Sequence, residues 1–330
     1  MAPVSPMATI TIRTIPHRYD LTAPKPGRQI LIFIHGWLLS RHYWQPLTQD
    51  LAQDYQCLSY DLRGFGDSQS VAPHANHTSP SSTHRQRFEA YSPLAYAKDI
   101  GDLMDGLAIE NAWLVGHSLG GTLALWGAHY LGDRINGVVC LNSGGGIYLE
   151  DEFRTFRTVG QRLVKYRPRF LKHFPPLHWA FCYDSVPNPI PLRWGRQRVL
   201  DFMAADEEAA LGALLASTTR TEVHRLPNLV SQLPQPVYFI TGQQDTIMEP
   251  RYVRHLASYH PLFQNHSQNY SPNPSHGPSQ NLIELEDCGH MAMVERPAAI
   301  IRHLRTILIR HPLPSPPSAP PQMPTAPAIL

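Results

Sequence analysis

Gly116-His117-Ser118-Leu119-Gly120 stands between a short apolar run, Ala112 to Val115, and a helical one, Leu119 to Leu131. No other feature of the chain restricts its fold as tightly. A strand that turns into a helix within so few residues holds its central serine at strained φ and ψ, and the flanking glycines leave room for that backbone. The turn lifts the serine hydroxyl clear of a sheet and sets it at a helix N-terminus, where unpaired N–H groups favour negative charge.

The rest of the chain repeats the strand-then-helix alternation. Apolar runs near 8–14, 29–34, 56–60, 112–116, 136–142, 236–241 and 281–286 read as strands, the later ones rich in the Val, Ile, Leu and Tyr of buried strands. Amphipathic stretches at 44–53, 93–107, 119–131, 251–259 and 297–310 read as helices, and Pro297 suits a first helical turn. This pattern predicts an α/β fold with a mostly parallel central sheet flanked by helices. Residues 146–233 interrupt it with helical patterns near 150–166, 192–204, 206–217 and 220–231, which predicts a helical cap inserted into a core of 1–145 and 234–311. Segments 69–91, 261–280 and 312–330 are polar and rich in Pro, His, Ser and Asn. They hold too little apolar surface to offset ordering entropy, so loops and a disordered Pro-rich tail are expected. Asn76, Asn265 and Asn269 each open an N-x-[ST] sequon, a pattern that polar loops produce by chance.

A net charge of +2 over 330 residues leaves no field for a polyanion, which excludes nucleic acid as a partner. Cys57, Cys140, Cys182 and Cys288 are widely spaced with no C-x-x-C pair, so neither a zinc site nor a disulfide framework is expected and a reducing compartment is. The N-terminus lacks the basic start and apolar run of about 7 to 15 residues of a signal peptide. No stretch reaches the roughly 18 apolar residues of a membrane span. Together these predict a cytoplasmic protein.

Several stretches, in order along about residues 8–310, resemble the α/β-hydrolase superfamily. Ile32-Phe33-Ile34-His35-Gly36-Trp37 looks like the family's strand ending in His-Gly-aromatic, and Gly116, His117 and Gly120 frame Ser118 as in its nucleophile elbow. The resemblance implies that Ser118 is the nucleophile and that the backbone N–H groups of Trp37 and Leu119 form the oxyanion hole. It assigns His35 and Gly36 the shaping of that loop. A serine hydroxyl needs a histidine to take its proton and a carboxylate to hold the histidine's tautomer, in the chain order Ser, acid, His. Alone among the 18 histidines, His290 has the family's Gly-His setting, in Asp287-Cys288-Gly289-His290 ahead of Glu295-Arg296-Pro297. His74, His77, His84, His266 and His276 read as solvated loop residues. Asp245 follows the run Pro236 to Gly242 at the family's usual acid position, whereas the preceding strand ends in Leu141-Asn142-Ser143 with no carboxylate. Asp287 reads as a turn residue. Asp61-Leu62-Arg63-Gly64-Phe65-Gly66-Asp67-Ser68 resembles a further signature of architectural role, in which the charged Asp61 and Arg63 fix the loop.

The chemistry so implied is ester cleavage by a serine hydrolase through an acyl-enzyme, with no metal and no organic cofactor. Serine at the elbow, instead of aspartate, argues against the haloalkane dehalogenase and epoxide hydrolase branches. Carbon–carbon bond hydrolases use the same triad, and cofactor-free perhydrolases resemble His35 to Ser40 except that Leu38 replaces their proline. A non-catalytic ligand receptor on this fold is the alternative of a different class. The cap is similar to α/β-hydrolases of cyanobacteria and plastids, a group that includes enzymes acting on phytyl esters.

The substrate is expected to be a small-molecule or lipid ester, met mainly by the cap. Leu149, Phe153, Phe156, Leu163 and Val164 recur at helical spacing among Arg154, Arg157, Arg162, Lys165, Arg167, Arg169 and Lys172. Such a helix serves either as an ordinary lid or as a weak contact with an anionic membrane surface. Phe170, Phe174, His178, Trp179, Phe181 and Tyr183 predict an apolar pocket wall. Oligomeric state has no signature in the sequence.

Overall fold

In a computed structural model that describes residues 8–69, 89–145, 150–263 and 281–313, the apolar runs form eight strands. These are β1 (Ala8–Ile12), β2 (Ile15–Leu21), β3 (Ile30–Ile34), β4 (Gln56–Tyr60), β5 (Ala112–His117), β6 (Ile135–Leu141), β7 (Val237–Gly242) and β8 (Leu282–Leu285). They build one sheet in the order β1-β2-β4-β3-β5-β6-β7-β8. β1, β2 and β4 pair antiparallel and every other pairing is parallel. β5 lies near the centre, between β3 and β6, and is buried along its whole length.

Alternation along the strands divides the core in two. Ile32, Ile34, Leu58, Leu114 and Val138 face a layer that includes α2 (Pro93–Gly106) and α3 (Leu119–Leu131). Leu31, Phe33, Trp113, Val115 and Val139 face the other way, toward α1 (Gln45–Leu51), α10 (Ala292–Glu295) and α11 (Pro297–Arg310). Cover on both faces is why these strands are continuously apolar. The four cysteines are buried and unpaired.

Between β6 and β7 the described chain is helical: α4 (Glu150–Lys165), α5 (Pro175–Tyr183), α6 (Leu192–Ala204), α7 (Glu207–Ser217) and α8 (Arg220–Gln232). α9 (Pro250–Ala257) follows β7. α5 is an addition to the expected helices. The expected strand at 8–14 is instead a hairpin, because Arg13 and Thr14 both take positive φ, 48° and 72°, and reverse the chain into β2. The three sequons, most of the three polar segments and the side chain of Phe153 lie outside the described residues, as does Leu149. Among the described residues no helix is long and apolar enough to cross a membrane.

Candidate active site

Three parallel strands deliver the site at their C-terminal ends. Ser118 follows β5 directly, at φ 53° and ψ −117°, and caps the N-terminus of α3. A Cβ on Gly116 would strike the carbonyl of Gly120, and one on Gly120 would strike the carbonyls of Ile34 and His35, so glycine is needed where the elbow crosses β3. The Ser118 N–H donates to the Leu141 carbonyl at 2.9 Å, which ties the elbow to the end of β6.

Asp245 lies beyond β7 and His290 beyond β8, both buried. Nδ1 of His290 donates to Oδ2 of Asp245 at 2.8 Å, so the neutral ring keeps Nε2 as its basic nitrogen. The same carboxylate accepts from Nδ2 of Asn142 at 2.8 Å on Oδ2, and from the N–H groups of Ile247 and Met248 at 2.8 and 2.9 Å on Oδ1. Burial alone would raise the Asp245 carboxyl. The partnership with His290 and these donors outweigh it and hold the group below the ordinary value.

Asn142 and Glu295 are the site residues that motif reasoning passes over. Asn142 also donates to the Gly289 carbonyl at 3.0 Å, bridging the acid and the histidine loop from the end of β6. Glu295 accepts from the N–H groups of Gly289 and Met291 at 2.8 and 2.7 Å and so brackets His290. An amide beside an empty acid position has no sequence signature, whereas Glu295 follows His290 closely enough to have been read as a loop clasp.

Burial holds two neighbouring histidines, His117 and His35, neutral. His117, next to Ser118, donates from Nε2 to the His290 carbonyl at 2.7 Å, and its ring lies 4.9 Å from that of His290. Burial, with His290 beside it, pushes its pKa down to about 3. His35 donates from Nδ1 to the Gly36 carbonyl at 2.8 Å and accepts the Leu62 N–H on Nε2 at 2.9 Å, which uses both ring nitrogens inside the loop. Asp61 and Arg63 have different partners. Asp61 receives Arg41 from both backbone and side chain, while Nε of Arg63 reaches Asp99 at 3.0 Å. Asp287 is an exposed turn residue at φ 47° whose carbonyl receives Arg296.

Trp37, Ser118 and Leu119 meet in a pocket that is partly open to solvent. Thr122, Ser143, Ile247 and Met248 continue its wall from the sheet side, and Phe156, Leu214, Ser217 and Thr218 close it from α4 and α7 and the end of the latter. No lining residue is charged. The expected aromatic wall is absent from it: Phe170, Phe174, Trp179 and Tyr183 lie at the surface. Phe181 packs toward Phe202, with ring centroids 6.1 Å apart, and His178 turns to the Lys172 carbonyl.

A doubly flanked, mostly parallel sheet with a strained serine elbow and a buried Asp–His pair defines the α/β-hydrolase architecture. A family model for the alpha/beta hydrolase fold matches residues 29–297, and the chain belongs to that family. The pimeloyl-[acyl-carrier protein] methyl ester esterase of Pseudoalteromonas atlantica is 22% identical over 252 residues, covering 75% of this chain and 87% of that protein. An uncharacterized hydrolase of Bacillus subtilis is 25% identical over 321 residues, covering 92% and 98% respectively. Among solved structures, a thermophilic esterase from Thermogutta terrifontis shares the fold at TM-score 0.67 and 20% identity, over 93% of this chain and 100% of that one.

Proposed function

We propose that this protein is a serine hydrolase that cleaves carboxylic esters with an apolar acyl or alcohol group. The observation that carries the reading is the Asp245–His290 hydrogen bond, which leaves Nε2 of His290 as the basic nitrogen and stands beside a second feature, the strained elbow of Ser118. In this reading Ser118 attacks the carbonyl carbon as His290 takes its proton, and Asp245 fixes the tautomer and stabilises the imidazolium. The backbone N–H groups of Trp37 and Leu119 receive the developing oxyanion. The loss of one such donor costs about 3 kcal/mol of barrier in serine hydrolases. His290 then returns the proton to the leaving alcohol and activates water to release the acyl group.

Residues 146–233 act as the cap on a core of 1–145 and 234–311. Phe156, Leu214, Ser217 and Thr218 reach the cavity from it. An uncharged lining that includes Trp37, Leu119, Phe156, Leu214, Ile247 and Met248 supports a neutral apolar substrate and offers no cation to a second carboxylate or a phosphate. Similarity to a methyl ester esterase supports ester chemistry.

An ester panel graded by acyl and alcohol size, run beside Ser118→Ala, tests this. Turnover should peak on uncharged apolar esters and fall on the order of a millionfold in the variant. Retained activity in Ser118→Ala would overturn the assignment.

A further inference from the structure

Between Arg154 and Tyr183 the chain carries seven Arg and Lys and no Asp or Glu. α4 presents two apolar stripes. Phe156, Gly160 and Val164, each four residues apart, turn inward toward the cavity and the core. Val159, Leu163 and Tyr166 follow helical spacing on the outer side and are exposed. A lid needs the first stripe only. The second continues past the helix in Phe170, 74% exposed, and Phe174. On α5, Trp179 and Tyr183 stand one turn apart and more than half exposed. Five of the six exposed aromatic side chains among the described residues thus lie between 166 and 183.

Not every cation in the stretch is available. Arg157 donates to the Leu215 carbonyl and Arg167 to the Phe202 carbonyl, so both serve the packing of the helices. Arg162, Lys165 and Lys172 are exposed. Aromatic rings with a polar edge, interleaved with basic side chains, match the boundary between headgroups and acyl chains.

We propose that the stretch from Val159 to Tyr183 docks the protein on an anionic lipid surface, with Tyr166, Phe170, Phe174, Trp179 and Tyr183 entering the headgroup region and Arg162, Lys165 and Lys172 meeting lipid phosphates. Charge selects this occupant over a second copy of the chain. Two copies paired through this same face would set basic residues against basic residues with no carboxylate from the stretch to answer them. The proposal is independent of the serine chemistry, since none of these side chains lines the cavity.

Flotation of the full chain with vesicles of phosphatidylcholine alone, or of phosphatidylcholine and phosphatidylglycerol in equal parts, tests it. The chain should float with the anionic vesicles, leave them in high salt and bind the neutral ones far less. Reversing Arg162, Lys165 and Lys172 to Glu should weaken binding at least about a hundredfold, at roughly fivefold per cation lost. Phe170→Ser with Phe174→Ser should weaken flotation with the anionic vesicles at low salt, and both variants should keep the wild-type melting curve and turnover of a soluble short-chain ester. No flotation with anionic vesicles would overturn the proposal, as would undiminished flotation of the charge-reversed variant. So would a dimer, measured by sedimentation equilibrium, that the Phe170→Ser, Phe174→Ser variant abolishes.

Discussion

At the scale of single residues, the site depends on how many donors one buried carboxylate gathers. Asp245 accepts from a ring, an amide and two backbone N–H groups. Asp245→Asn keeps the shape but turns a donor toward Nδ1 of His290 and imposes the wrong tautomer, so kcat should fall by about ten-thousandfold with little change in KM. Asn142→Leu removes one donor to a charged acceptor, worth about 1.5 to 3 kcal/mol, so kcat/KM should fall by roughly tenfold or more. The same substitution should raise the pKa of the Asp245 carboxyl, read from its carbon-13 shift in a pH titration, since Asn142 helps to hold that group low. A carboxyl titration left in place would show that Asn142 serves packing alone. The placement of Ser118, Asp245 and His290 after β5, β7 and β8 was legible because each follows a strand beside a recognisable neighbour. Asn142 was not, because its role comes from β6 lying between β5 and β7, an order that no local pattern encodes.

At the scale of elements, the loop that carries the proposed oxyanion donor is bonded at two points to the inserted helices. The indole N–H of Trp37 donates to the Ala210 carbonyl of α7 at 2.9 Å, and Oγ of Ser40 donates to Asp201 of α6 at 2.8 Å. Burial lifts the Asp201 carboxyl to about 7, against the opposing donors Ser40 and Gln197. A folded value above the unfolded one means a contribution present in acid and lost as pH rises through about 7. Asp201→Asn carries no such proton, so its stability should gain on the wild type between about pH 4 and pH 7 in denaturant melts. A constant difference across that range would contradict the shift. Several helices could be placed closely from sequence: 119–131, 192–204 and 297–310 agree at both ends, through periodicity, an elbow and a leading proline. β2 escaped because Arg13 and Thr14 reverse the chain without the Gly or Asn that usually marks a two-residue hairpin. α5 escaped because Pro175 and Pro176 open it and its aromatic residues follow no buried stripe. Trp179 and Tyr183, read as part of a pocket wall, are at the surface, while α6 packs against α5 and receives Phe181.

At the scale of the molecule, burial keeps His17, His35, His117 and His260 below the ordinary 6.5. Depressed folded values give stability that is present above about 6.5 and lost as pH falls, because the unfolded chain takes up protons that the folded one refuses. Urea midpoints should therefore drop between about pH 6.5 and pH 4, and His117→Gln should drop less over that interval. Equal slopes for the two proteins would show that His117 takes no part. β5, α3, the loop after β7 and the inserted helices all border the pocket that holds Ser118 and its Oγ. The central claim is that this oxygen carries the acyl group. Acid-quenched reaction with a slowly deacylating p-nitrophenyl ester, followed by peptide mass spectrometry, should place the acyl mass on Ser118 and on no site in Ser118→Ala. An acyl group found elsewhere, or full turnover without Ser118, would contradict it.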